Sequence, residues 1–307
     1  MSVATEDANA VVIERDAPLS TWFGIGGRAD RLARPSSVED LLRCVRMDPA
    51  LRVLGDGANL LVHDDGVSEL VVCLSDPCWE RIEIDQRTGR VLAGAGVSLP
   101  RLIKATIEAG LAGLEGLGGI PATVGGAVIM NAGGKFGQIG DAVQAVHAVD
   151  RAGIEVVRDR REIRFDYRRS GLNELIVTSV EFMLSPSDPA ALKARHKEVM
   201  EYKKGSQPLA ADSAGCVFKN PLLDADLEGI GARGERVSAG RLIDLAGCKG
   251  MSVGGASVSE RHGNFIVTSR GCLAADVLGL MGRVRARVAD RFGVEIEPEI
   301  VVWRRDR

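Results

Sequence analysis

The sequence predicts an α+β protein in two parts, and three observations carry that prediction. Its 307 residues amount to about two domains of ordinary size, and 45% apolar residues are ample for real cores. Strand-like and helix-like segments are mixed, without the long strand–helix alternation that a doubly wound sheet requires. Glycine is in excess and clustered, with 37 residues where average usage would give roughly 21.

Residues 1–17 read as a flexible tail, and their acidic start resembles neither a signal nor a transit peptide. The first domain is expected over 18–187, divided near residue 80. A strand at 29–32, a helix over 36–46 and a strand at 51–54 suggest a βαβ-like unit. The helix follows from Ser37 as cap, Glu39 and Asp40 in the first turn, and Val38, Leu41, Leu42 and Val45 on one face. Strands follow at 81–85 and 91–93, then a helix over 99–109 that stops at Gly110. Residues 143–150 and 154–157 flank an Arg-Ala-Gly turn and read as a hairpin, and 175–184 as a further strand. A charged helix from residue 188 to Tyr202 ends at Gly205 and Pro208, which sets the second domain at 188–307. In that domain a turn enters a strand at 212–221. Ser238 caps a helix over 238–246, and a strand occupies 264–268. A long amphipathic helix over 274–292 opposes Val277, Leu280, Met281, Val284 and Val288 to Arg283, Arg285, Arg287 and Arg291. The last strand, 294–303, is interrupted by Pro298.

Thirty-nine Lys and Arg against 42 Asp and Glu give a net charge of −3, with no basic excess for a nucleic acid partner. Six cysteines form no C-x-x-C pair and no zinc spacing, so no metal is expected and a reducing cytoplasm fits best. No apolar stretch reaches the roughly twenty residues of a membrane-spanning helix.

Five segments could carry chemistry. Gly55–Val62 (GDGANLLV) is a glycine turn after a strand, where backbone N–H groups can face an anion; alone, a structural turn is its plainer reading. Gly113–Gly134 has no charge after Glu115, which implies backbone packed against backbone or against a large flat ligand. Arg168, in RFDYRRS, suits a carboxylate because its planar fork bonds both oxygens, although a solvated arginine face explains the segment by itself. Cys216, in DSAGCVFKNP, sits in a small-residue turn, and a packed small hydrophobe is its plainer reading. Glu299 follows Pro298 in a strand that could equally expose it. His262, in SERHGNF, is weak on its own.

Taken in order, these segments resemble the UDP-N-acetylenolpyruvoylglucosamine reductases of bacterial cell-wall synthesis. The likeness rests on residues 21–27, on the G-x-G-S-N loop with Ala58 for serine, and on the I-P-x-x-V-G-G run from Ile120. It continues through Tyr167–Ser170 and Ser213–Pro221 to Pro298-Glu299-Ile300. With only Tyr167 and Tyr202, the chain resembles the short form that lacks a tyrosine-bearing loop.

The resemblance implies a two-subdomain FAD-binding domain of the vanillyl-alcohol-oxidase type, followed by a smaller α+β substrate domain whose last strand returns Glu299 to the active site. It implies bound FAD, NADPH as reductant, and reduction of UDP-N-acetylglucosamine enolpyruvate to UDP-N-acetylmuramate. The flavin is expected without covalent attachment, since His63 lies just outside the glycine loop and no other His or Cys matches an attachment motif, and the protein is expected to be a monomer. Carried over residue by residue, the cofactor would be held by Gly55, Asp56, Gly57, Ala58, Asn59, Leu60, Gly119, Ile120, Pro121, Val124, Gly125, Gly126, Ala127, Met130, Asn131 and Val177. Arg168 and Glu299 would polarise the enolpyruvyl carboxylate. Cys216 would donate a proton where the family most often has serine, and an ordinary thiol pKa near 8.5 makes it competent to do so. Lys219, Asn220 and His262 would contact substrate, and Lys203 or Lys204 its diphosphate. A flavin oxidase of the same fold and a non-catalytic flavin-binding regulator are the competing readings.

Overall fold

The computed structural model describes residues 11–305. They divide into two compact units that cross the linear order of the chain. The first holds residues up to Ala17, 29–55 and 68–199; the second holds 18–28, 56–67 and 200 onward. The expected boundary at residue 188 therefore moves to Val199, and two short N-terminal segments belong with the C-terminal part.

The first unit carries two sheets. One has the order Ile13–Ala17, Ala29–Ala33, Val67–Cys73, Arg52–Leu54, with its first pair antiparallel and its last parallel. Two expectations are corrected here. Residues 13–17 are a strand with Ile13 opposite Ala33, not a flexible tail, while residues 1–10 lie outside the described residues. Val67–Cys73 separates the two strands of the expected βαβ unit. That position suits its buried Val67, Leu70, Val71 and Val72. Helix α1, Val38–Met47, starts where Ser37 Oγ accepts from Asp40 N at 3.1 Å and buries Leu41, Cys44 and Val45.

The second sheet is antiparallel throughout, in the order Glu155–Asp159, Val143–Val149, Ile176–Met183, Arg90–Gly94, Ile82–Asp85. Helix α2, Leu99–Glu108, packs Leu102 and Ile103 into a core that also holds Leu41, Val72, Val91, Val146 and Phe182. Each such fully buried side chain contributes about 1.5–3 kcal/mol. Helix α3, Val124–Ile129, lies inside the glycine-rich run where no helix was expected. Glycine is a poor helix former, so residue pattern alone hides it. Helix α4, Pro189–Ser206, runs past the residue at which the units divide.

In the second unit, helix α5, Ala239–Leu245, is capped by Ser238, whose Oγ accepts from Arg241 N at 3.2 Å. A three-stranded antiparallel sheet joins Ser252–Val253, Ala256–Val258 and Ile266–Thr268. Helix α6, Ala274–Phe292, ends at Gly293 and buries the apolar stripe read from the sequence. That stripe packs with Leu242, Ile243 and Phe218, and also with Phe23 and Leu61 from the two N-terminal segments. Three further ties bind those segments. Leu60–Val62 pairs in parallel with Val301–Trp303. Asp64 accepts from Ala274 N at 2.8 Å and Ala275 N at 2.9 Å, and Thr268 Oγ1 donates to Phe23 O at 2.7 Å. The closing strand is confined to Val301–Trp303, and upstream of it Pro298 is held only in an isolated bridge to Phe218.

Candidate active site

In the first unit, the glycine-rich run and the Arg168 segment are bound together. Residues 122–125 lie along 95–99, with Leu99 N donating to Ala122 O at 2.8 Å and Gly125 N to Ala95 O at 2.9 Å. Thr123 caps α3 through Gly126 N at 3.3 Å. Two predicted cofactor glycines meet this threonine. A Cβ at Gly55 would stand 2.7 Å from Thr123 Oγ1, and one at Gly126 would stand 3.3 Å from the same atom and near nothing else. Gly126 is exposed, so it offers bare backbone to an incoming molecule, whereas Gly125 faces Ala95 Cβ at 3.0 Å. Val124 and Ala127 are buried in α3, Met130 closes the helix, and Val177 is buried in the adjoining sheet. Gly119, at φ +71°, turns the chain into half-buried Ile120 and Pro121.

Asn131 is buried at φ +43° and holds three segments: its Nδ2 donates to Gln138 Oε1 at 3.0 Å and Asp166 O at 2.8 Å, and its Oδ1 accepts from Gly140 N at 3.1 Å. Asp166 and Arg169 exchange backbone hydrogen bonds of 2.8 and 3.1 Å, which puts Tyr167 and Arg168 at the tip of a tight turn. Arg168 has φ +55°, a conformation costly for a residue with a Cβ. Its Nη1 donates to Gly133 O at 2.8 Å and its guanidinium lies 5.4 Å from the Tyr167 ring centre. A strained arginine where glycine would be easier points to a use for the side chain.

In the second unit, the remaining motifs converge on one backbone ladder. The segment from Cys216 to Lys219 lies between residues 264–265 and 297–299, with bridges from Cys216 to Phe265 and from Phe218 to Pro298. Val217 N donates to Asn264 O at 2.9 Å, Lys219 N to Glu297 O at 2.8 Å, and Glu299 N to Val217 O at 2.7 Å. Asn59 extends the ladder: its Nδ2 donates to Glu299 O at 3.2 Å and its O accepts from Val301 N at 2.9 Å. The proposed donor, the proposed acid and the asparagine of the GDGAN loop are thus fixed to one another through main chain. Gly57, at φ +65°, turns that loop, and a Cβ there would collide with Ser20 O. Trp22 Nε1 donates to Asp56 Oδ2 at 3.2 Å, Ala58 is half-buried, and Leu60 enters the core.

Asn220 Oδ1 accepts from Ala239 N at 3.0 Å, and Lys219 Nζ lies 3.2 Å from Glu297 Oε2. His262 packs edge-on to Phe265 at 4.8 Å, and its Nδ1 accepts from Asn264 N at 3.2 Å. Burial, and then the charge of Lys249, hold its pKa below the usual 6.5. Lys203 and Lys204 end α4, where Arg261 donates to the Lys204 and Gly205 carbonyls. None of the six cysteines, Cys216 among them, is in a disulfide.

Two residues escaped the sequence reading. Asn264 is buried and grips Phe218 from both sides, its Oδ1 accepting from Phe218 N at 2.9 Å and its Nδ2 donating to Phe218 O at 2.8 Å. A partner 46 positions away leaves no local signal. Ser213 is the other, a buried serine at the start of the Cys216 turn.

The exposed bare backbone at Gly55 and Gly126 fits a large flat anionic cofactor, and the fold with this cradle defines a flavin-binding oxidoreductase. Residues 29–158 match the family described as "FAD binding domain", and residues 207–303 match "UDP-N-acetylenolpyruvoylglucosamine reductase, C-terminal domain". The chain is 43% identical over 293 residues to UDP-N-acetylenolpyruvoylglucosamine reductase of Moorella thermoacetica, covering 93% of this chain and 91% of that protein. It is 40% identical to the enzyme of the same name from Desulfosudis oleivorans, covering 94% of each. The crystal structure of UDP-N-acetylenolpyruvylglucosamine reductase from Thermus caldophilus aligns with a TM-score of 0.80 at 41% identity, covering 95% of this chain and 99% of that one. The chain belongs to the UDP-N-acetylenolpyruvoylglucosamine reductase family.

Proposed function

We infer that the protein reduces UDP-N-acetylglucosamine enolpyruvate to UDP-N-acetylmuramate with FAD and NADPH, a step of peptidoglycan precursor synthesis. FAD, when bound, would supply hydride chemistry, with NADPH as its reductant. The 55–60 loop and the 119–131 run would hold the flavin without a covalent bond, their backbone N–H groups suited to its diphosphate. This assignment draws on the exposed, Cβ-free backbone at Gly55 and Gly126.

The chemistry on the protein side concerns one carbon and one carboxylate. Hydride added to the β carbon leaves an electron pair at the α carbon, delocalised into the carboxylate. Glu299, protonated, donates a hydrogen bond to that carboxylate, and Arg168 supplies fixed positive charge to it, an assignment that rests on the resemblance and the strained turn. The Cys216 thiol gives its proton to the α carbon, which completes the lactyl ether, and the thiolate regains a proton from solvent. Lys219, Asn220 and His262 bind the sugar nucleotide, with Lys203 or Lys204 at its diphosphate. The observation that carries this reading is the ladder joining Asn59, the Cys216 segment and Glu299. The protein acts as a monomer in the cytoplasm; among the described residues no helix is long and apolar enough to cross a membrane.

The test separates the two half-reactions. Cys216→Ala should leave flavin reduction by NADPH at the wild-type rate and slow reoxidation by the enolpyruvyl substrate, since general acids contribute about 10²–10⁴-fold. Cys216→Ser should retain substantial turnover. Reoxidation slowed less than about tenfold in Cys216→Ala would return the thiol to a packing role.

A further inference from the structure

Ser213 presents a problem that the fold does not solve. The residue is 5% exposed, and its Oγ has no hydrogen-bond partner among the described residues. Buried hydroxyls are almost always bonded, and one left unbonded weakens the free protein. The neighbouring Ala214 is buried as well, so this stretch of chain is packed. Nor is the backbone free to shift. Asp212 O accepts from Thr268 N at 3.1 Å on one side, and Val217 N donates to Asn264 O at 2.9 Å on the other. Between these anchors the chain bends at Gly215, φ +74°, so that Ser213 and Cys216 are the two ends of one bend.

We propose that the Ser213 hydroxyl is a substrate-binding group, donating a hydrogen bond to the carboxylate of the enolpyruvyl substrate. This rests on the reading of Cys216 as proton donor. A thiol placed to protonate the α carbon faces the one carbon to which that carboxylate is bonded, and a donor at the other end of the bend is suited to its nearest oxygen. The bond strengthens as hydride addition drives negative charge onto that oxygen, and no proton leaves Ser213. A group left unbonded in the free protein and bonded in the complex favours the complex, which is the use that accounts for its retention.

The experiment is Ser213→Ala in the FAD-loaded enzyme, read in four ways. The thermal midpoint should equal or exceed that of wild type, because an unbonded hydroxyl is removed. Flavin reduction by NADPH should be unchanged. Reoxidation by the substrate should slow about tenfold or more, the effect of one hydrogen bond to a charged group, and UDP-N-acetylmuramate should bind correspondingly more weakly. Iodoacetamide should alkylate Cys216 at the wild-type rate without ligand, with less protection by product. Ser213→Cys, a weak donor of similar size, should fall between alanine and serine. A lowered midpoint with unchanged reoxidation and product affinity would mean that the hydroxyl serves the fold, and would overturn the proposal. Wild-type behaviour in Ser213→Ala beside a collapsed Cys216→Ala overturns it while leaving the donor reading intact. Slowed reoxidation in Ser213→Ala beside an active Cys216→Ala removes the thiol as donor, and with it the placement of the carboxylate on which the proposal rests, so it overturns both readings.

Discussion

Gly125 and Gly126 are neighbours in α3 with opposite surroundings, and they separate folding from cofactor binding. A Cβ on Gly125 would press on Ala95 at 3.0 Å, so Gly125→Ala should lower stability by about 1–3 kcal/mol in denaturant unfolding. At Gly126 the side chain projects from an exposed backbone and meets only Thr123 Oγ1 at 3.3 Å. Gly126→Val should therefore fold but carry no flavin. Acid precipitation of wild type should leave one FAD per chain in the supernatant, and of the variant none; flavin retained by the variant would remove Gly126 from the cradle. His262 gives a pH signature. Its folded pKa lies below 6.5, so the unfolded chain takes up the proton first as pH falls. The neutral ring contributes fully above pH 6.5, and that contribution is lost below it. His262→Gln should flatten the fall of the thermal midpoint below pH 6.5, and an equally steep decline would show that burial of the ring does not set it.

Elements with a cap and a stripe were legible in the sequence. The bounds of α6 and its buried residues came from spacing alone, and α1 from Ser37 and the acidic first turn. Elements defined by distant partners were not. The acceptor for the first two N–H groups of α6 is Asp64, 210 residues before Ala274, and nothing in HDDG marks a helix start elsewhere. Asp64→Ala frees two helix N–H groups and removes a charge near the positive end of α6, so it should cost about 1–2 kcal/mol. Asp64→Asn, which keeps an acceptor, should recover most of it, and equal losses in urea midpoints would show that charge alone matters. The short α3 escaped for a different reason, because glycines chosen for their missing side chains erase the apolar periodicity of a helix.

Across the whole molecule, the sequence order of the site motifs was readable, but their distribution between units was not. Residues 55 and 56 are adjacent in the chain yet assigned to different units, and no composition shift marks that point. A fragment of residues 200–307 lacks Phe23, Leu61 and the strand that pairs with Val301–Trp303. It should show no cooperative unfolding transition, and adding peptides 18–28 and 56–67 should improve its order; a fragment that melts cooperatively alone would contradict the core described above. The parallel pair of Leu60–Val62 with Val301–Trp303 also bears on how the protein is made. The early strand leaves the ribosome about 240 residues before its partner, a wait of roughly 10–50 s at about 5–20 residues per second. Throughout that interval Leu61 and Val62 have no sheet to join, so the nascent chain offers an apolar unpaired edge to chaperones while the first unit can already close.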